Sequence, residues 1–141
     1  MDAEMRTARE IEGAIEAMTR AYRARKLSDL MACFAPDSDG VLYGTGGDEK
    51  RIGPEEIRAQ IERDWGQTES AEMAFSWKSI GAAGDVAWAA LDGAFNLRAG
   101  GQALTLPARV SLVFEKRDGK WLIVHSHFST PAAAQEEGHS F

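Results

Sequence analysis

The sequence predicts an α+β fold, a cone-shaped barrel in which a curled antiparallel sheet wraps around N-terminal helices. Three observations predict it. Apolar residues recur at helical spacing near the N-terminus, they alternate with period two from Met73 to Ser129, and the helical segments come before the long strands. The 141 residues suit one domain, with residues 1–131 as its body and 132–141 as a C-terminal tail. A hydrophobic fraction of 44% against 27% charged residues is too apolar for a disordered chain.

The first element is an amphipathic helix over roughly residues 3–25, because Ile11, Ile15, Met18 and Tyr22 share one face. Ser28 is the expected cap of a second, short helix with Leu30, Met31 and Phe34 turned inward. Val41-Leu42-Tyr43 reads as a short strand running into a loop, Gly44 to Glu49. Gly53-Pro54-Glu55-Glu56 opens a third helix: proline is tolerated at its first position, and two acids sit on the positive end of its dipole. Ile57, Ile61 and Trp65 form its buried stripe.

Beyond Gly66 the period falls to two. Residues 72–80 place Met73, Phe75 and Trp77 on one side. Residues 86–98 set Ala87, Ala89, Leu91, Phe95 and Leu97 against Val86, Trp88, Ala90, Asp92, Asn96 and Arg98. Residues 103–117 set Leu104, Leu106, Val110, Leu112 and Phe114 against Thr105, Arg109, Ser111 and Glu115. Residues 121–129 set Leu122, Val124 and Phe128 against Trp121, Ile123, His125 and His127. Gly84-Asp85, Gly100-Gly101 and Asp118-Gly119 are the hairpin turns. Twist and small residues such as Gly93 curl the sheet, and its apolar face lies under the helices.

The charge narrows the partners. With 22 acidic and 16 basic residues the net charge is −6, which argues against nucleic acid and against an anionic membrane surface. The one cysteine, Cys33, excludes an internal disulfide and reads as a small buried hydrophobe. No apolar run approaches the ~20 residues of a membrane span, and the charged N-terminus is not a signal peptide, so a cytoplasmic protein is expected.

Several segments together carry a family resemblance. They are Phe34-Ala35-Pro36-Asp37, Gly53 to Ile57, Gly84 to Trp88, Arg109 to Phe114, and Arg117 to Ser129. In these the chain resembles SnoaL-like, ketosteroid isomerase-like members of the nuclear transport factor 2-like superfamily. The last segment also resembles the association domain of calcium/calmodulin-dependent kinase. The resemblance implies an α+β cone with an apolar pocket between sheet and helices, and homodimers packed through the outer sheet face. It is unspecific for chemistry, since such folds carry isomerases, dehydratases, cyclases and pure assembly domains. The catalytic aspartate of the isomerase-like members falls on Gly44 here, and the pocket arginine of the kinase-associated relatives falls on Leu112.

The candidate catalytic groups are Tyr43, Asp48, His125 and His127; the candidate ligand-binding residues are Tyr43, Trp65, Trp77, Trp88 and Arg109. Asp48 lies on a loop in water, where nothing raises its pKa. His125 and His127 share a strand face and can shuttle protons, hydrogen-bond across a subunit contact, or join Asp92 or Glu115 around a metal, although no metal is assigned. Arg109 either anchors a carboxylate or pairs with Asp92 or Glu115 across strands. The loop at Gly44-Thr45-Gly46-Gly47 lacks the ending of a phosphate loop, and no cofactor is expected. The leading expectation is a protein that binds a small hydrophobic molecule in the cone, with or without catalysis. The alternatives are a cofactor-independent isomerase, cyclase or dehydratase and a non-catalytic dimeric assembly module.

Overall fold

The computed structural model describes residues 3–37 and 39–141. Its elements are α1 (Ala3–Ala24), α2 (Leu27–Met31), β1 (Val41–Tyr43), β2 (Lys50–Ile52), α3 (Pro54–Gly66), β3 (Ser70–Ala83), β4 (Val86–Ala99), β5 (Gln102–Arg117) and β6 (Lys120–Ser129). The six strands form one sheet in the order β2-β1-β6-β5-β4-β3. β1 runs parallel to β6, and every other pair is antiparallel. The sheet curls around α1 and stays open, with β2 and β3 as its edges. Among the described residues no helix is long and apolar enough to cross a membrane.

Local chemistry accounts for the elements. The stripe of α1 buries Ile11, Ile15 and Met18, and α3 buries Ile57 and Ile61. Against them the sheet sets Ala87, Ala89, Leu91, Val110, Leu112, Phe114 and Ile123. Each large aliphatic or aromatic side chain buried there stabilises the fold by about 1.5–3 kcal/mol before entropy is counted. The Asp118-Gly119 turn has positive φ at both residues, 49° and 78°, as the tightest β-hairpins require.

Three local features differ from the sequence reading. Ser28 does not cap α2: the Leu30 amide already bonds the Lys26 carbonyl at 3.0 Å, so the helix starts from Lys26, two residues earlier. The loop from Gly44 to Glu49 is as expected, but the strand that follows it is absent from the sequence reading. The Gly44 amide reaches the Glu49 carbonyl at 2.8 Å, and the chain returns as β2, three residues long and too short to show a period.

The third difference concerns two bulges. Phe75 pairs with Gly93 but Trp77 pairs with Asp92, so Ser76 is extra. Val113 pairs with His125 but Phe114 pairs with Ile123, so Val124 is extra. An extra residue reverses the faces beyond it. Trp77 therefore leaves the side of Met73 and Phe75 and stands on the outer face, 52% exposed. Ile123 and Trp121 part from the histidines and pack against the core, whereas Val124 does not turn inward with Phe128. At the first bulge β3 crowds β4: a Cβ on Gly93 would lie 2.0 Å from the Ala74 carbonyl oxygen.

Candidate functional site

At the wide end of the curl, the sheet and helices leave a cavity of about 320 Å³. Its walls are mostly apolar. α1 contributes Met18, α2 Leu30, α3 Ile61, and the inner sheet face Leu42, Met73, Phe95, Leu97, Leu106 and Phe128. Phe34 closes one side. One end is polar, and its lining includes Tyr22, Glu49, Gln60, Arg63 and Asp64.

This polar end is built by helix geometry. Tyr22 lies four residues beyond Met18, at the last position of the α1 stripe. Gln60 and Asp64 are four apart on α3, on the same face as Ile57 and Ile61. The Tyr22 hydroxyl donates to Asp64 Oδ2 at 3.0 Å. The Gln60 amide, only 4% exposed, donates to Glu49 Oε1 at 2.7 Å and to Asp64 Oδ1 at 2.8 Å. Its oxygen accepts from Arg51 Nε at 2.9 Å, which fixes which way the amide faces.

Two further contacts hold the network. Arg25, in the left-handed region at φ 57°, reaches from the end of α1 to the Trp65 and Thr68 carbonyls at 2.7 and 2.9 Å. It clamps the C-terminal ends of the helices that carry Tyr22 and Asp64. Trp65 packs against Tyr22 with ring centroids 5.9 Å apart, behind the cavity wall. Glu49 folds across Gly44, where an added Cβ would meet the Glu49 side chain at 2.8–2.9 Å. The position at which the resemblance would put an aspartate thus makes room for a carboxylate delivered from five residues downstream.

The electrostatics follow from burial. Desolvation holds the Asp64 carboxyl above its ordinary pKa, with the Gln60 and Tyr22 hydrogen bonds opposing that rise. Desolvation, assisted by the Asp64 charge, also pushes the Tyr22 phenol well above its usual range. Asp48 behaves oppositely. It is exposed, and the Arg63 guanidinium at 2.7 Å lowers its pKa. A desolvated carboxyl bonded to a phenol at the end of an apolar cavity can accept a proton or a hydrogen bond from a bound molecule.

None of the candidate catalytic or ligand-binding residues named from sequence lines this cavity. Asp48 is tied to Arg63, which does line it. Tyr43, Trp77, Trp88, Arg109, His125 and His127 gather instead on the outer sheet face. There the register aligns Trp77, Asp92, Arg109 and Ser129 in one row, Ser111, His127 and Tyr43 in a second, and Trp88, Val113 and His125 in a third. The Tyr43 ring lies 5.2 Å from that of His127 and 6.4 Å from that of His125. Among the described residues no three His, Cys, Asp or Glu side chains gather as a metal site. Cys33 is half-buried in a separate groove beside Trp121 and Lys120, and burial raises its thiol pKa.

Gln60 and Asp64 escape the sequence reading, which takes Tyr22 for part of the apolar stripe of α1 and Glu49 for the end of a loop, so none of the four is read as a site residue. A signal for two of them was present, because Gln60 and Asp64 interrupt the apolar stripe of α3 with polar side chains at helical spacing. Nothing local marked Glu49, which is delivered by the fold of its loop.

The sequence profile of the SnoaL-like domain matches residues 11–133. No curated protein matches the chain. Many solved structures are similar to it. One, from Xanthomonas campestris and provisionally named a calcium/calmodulin dependent protein kinase II association domain, is 29% identical. Its TM-score is 0.78, and the match covers 87% of this chain and 86% of that one. A nuclear transport factor 2-like superfamily protein from Salmonella enterica is 20% identical with a TM-score of 0.82, over 93% and 95% of the two chains. A provisionally named scytalone dehydratase from Novosphingobium aromaticivorans is 14% identical with a TM-score of 0.81, over 91% and 86%. These last two likenesses concern the fold alone.

Proposed function

The chain belongs to the SnoaL-like domain family, and from that premise we propose that it binds a small, largely apolar organic molecule inside the cone. The observation that carries this reading is the cavity of about 320 Å³ with apolar walls and one polar end. That volume sits at the lower edge of the roughly 300–1,000 Å³ common for small-molecule sites, and the composition of the wall is typical of them. The apolar walls supply most of the affinity, and the Tyr22–Asp64–Gln60–Glu49 network orients the molecule.

The test is binding of 1-ethylnaphthalene, followed as an upward shift of the melting temperature. A ligand present at a hundred times its Kd stabilises the folded state by about 2.7 kcal/mol. Leu106→Trp should fill the cavity and remove the shift while leaving the far-UV circular dichroism unchanged. An equal shift in that variant would mean that the probe binds elsewhere and the reading is wrong.

A second reading, a cofactor-independent acid/base enzyme, is favoured by one feature, the burial-raised Asp64 carboxyl hydrogen-bonded to Tyr22 inside the cavity. It shares the pocket with the first reading and adds chemistry to it. We further propose that two copies pair through the outer sheet face. Support comes from Trp77 and Trp88, about half exposed on the outer face, with Asp92 and Arg109 opposite in register as two unlike charges that a second copy could complement. On this reading Tyr43, His125 and His127 lie at the subunit contact rather than at the ligand.

A further inference from the structure

Resting on the pocket reading above, we propose that the molecule held in the cone carries a protonated amine on its apolar body, received by Asp64 with Glu49 beside it. The argument is an account of hydrogen-bond donors and acceptors at the polar end of the cavity. The Tyr22 hydroxyl has one proton and gives it to Asp64. The Gln60 amide has two and gives one to Glu49 and one to Asp64. Its oxygen is taken by Arg51. The donors of Tyr22 and Gln60 are thus spent within the wall; Glu49 Oε2 is taken by the Gly46 amide, whereas each Asp64 oxygen keeps acceptor capacity beyond the one bond it accepts.

Charge points the same way. Glu49 and Asp64 both line this end, and the Glu49 charge contributes to the upward shifts of Asp64 and Tyr22. Arg63, the cation among the lining residues, is directed to Asp48 at 2.7 Å and to Glu49 at 3.5 Å. A carboxylate ligand would meet like charge in a desolvated site, which is costly. A neutral ketone would bring one more acceptor to a wall that already offers acceptors. An ammonium brings three donors and the opposite charge, and its hydrogen bonds to carboxylate are of the stronger, charge-assisted kind. The apolar walls at Met18, Leu42, Phe95 and Phe128 take the rest of the molecule.

Four matched probes test this: 2-(1-naphthyl)ethylamine, 2-(1-naphthyl)ethanol, 1-naphthylacetic acid and 1-ethylnaphthalene, titrated calorimetrically at pH 7. The amine should bind about tenfold or more tightly than the alcohol, and the acid weakest of the four. In Asp64→Asn the preference for amine over alcohol should shrink to within about threefold, and Glu49→Gln should reduce it without abolishing binding of the hydrocarbon. If the hydrocarbon binds but the amine has no advantage, or the acid binds best, the amine inference is overturned and the pocket reading stands. If the preference survives both variants, recognition lies elsewhere and the inference is overturned. If none of the four binds, the pocket reading fails and takes the inference with it.

Discussion

Substituting Gly93 by alanine tests how the cone is bent. At this position β3 presses on β4 at the Ser76 bulge. The added Cβ would lie 2.0 Å from the Ala74 oxygen and 2.8 Å from the Phe75 Cα. Since Cβ contacts shorter than 3.0 Å essentially do not occur, β3 must retreat by at least 3.0 − 2.0 = 1.0 Å. The obstructing atoms are backbone, so no rotamer change relieves the clash. A displacement of that size stretches a ladder hydrogen bond of about 2.9 Å beyond useful length. Overpacking and one or two weakened ladder bonds together cost about 2–4 kcal/mol. For a chain of this length each kcal/mol lowers Tm by about 3–4 °C, so a fall of about 6–16 °C is expected. The assay is urea and thermal melting beside Gly13→Ala. At Gly13 nothing lies within 4 Å of the new Cβ and the site is mid-helix, so stability should rise by about 0.5–1 kcal/mol. A Gly93→Ala protein that melts within about 2 °C of the wild type would refute the close approach and the account of the bend built on it.

Two further predictions concern the cavity and the outer face. The Asp64 pKa is raised on folding, so above the unfolded value of 3.8 the folded state keeps a proton that the unfolded chain has released. Its contribution is fully present below that pH and is lost as pH rises through the folded value. Relative to Asp64→Asn, the wild type should therefore lose stability as pH climbs from about 3.5 to neutrality, and urea midpoints across that range that run parallel would contradict the desolvation of this carboxyl. If two copies meet on the outer sheet face, Trp88→Glu should sediment as a monomer with an unchanged melting curve, whereas a wild type that is itself monomeric at tens of micromolar would dispose of the interface.

How much was legible in the sequence follows from the range of the physics involved. Helix periodicity, proline and glycine punctuation and hairpin turns are local, so α1, α3, the long strands and the fold class could be read directly. The alternation in β4 and β5 also held, because no bulge interrupts their pairing and period two keeps each residue on its side. The site residues were a different matter. The sequence reading selected aromatic, imidazole and guanidinium groups for their chemistry, and most of those lie on the outer face, away from the cavity.

The sequence by itself determined which segments are helix or strand and which stretches are apolar enough to be buried, since both depend on neighbours within a few residues. Only the tertiary structure decided the bulges at Ser76 and Val124, because an extra residue is defined by the strand opposite and not by its own neighbours. Those bulges put Trp77 outside and split Ile123 from His125. The tertiary fold also decided that Tyr22, Glu49, Gln60 and Asp64 converge, bringing α1, a loop and α3 together across as many as 42 residues of chain. Contacts at that separation are made by packing, which no local pattern encodes.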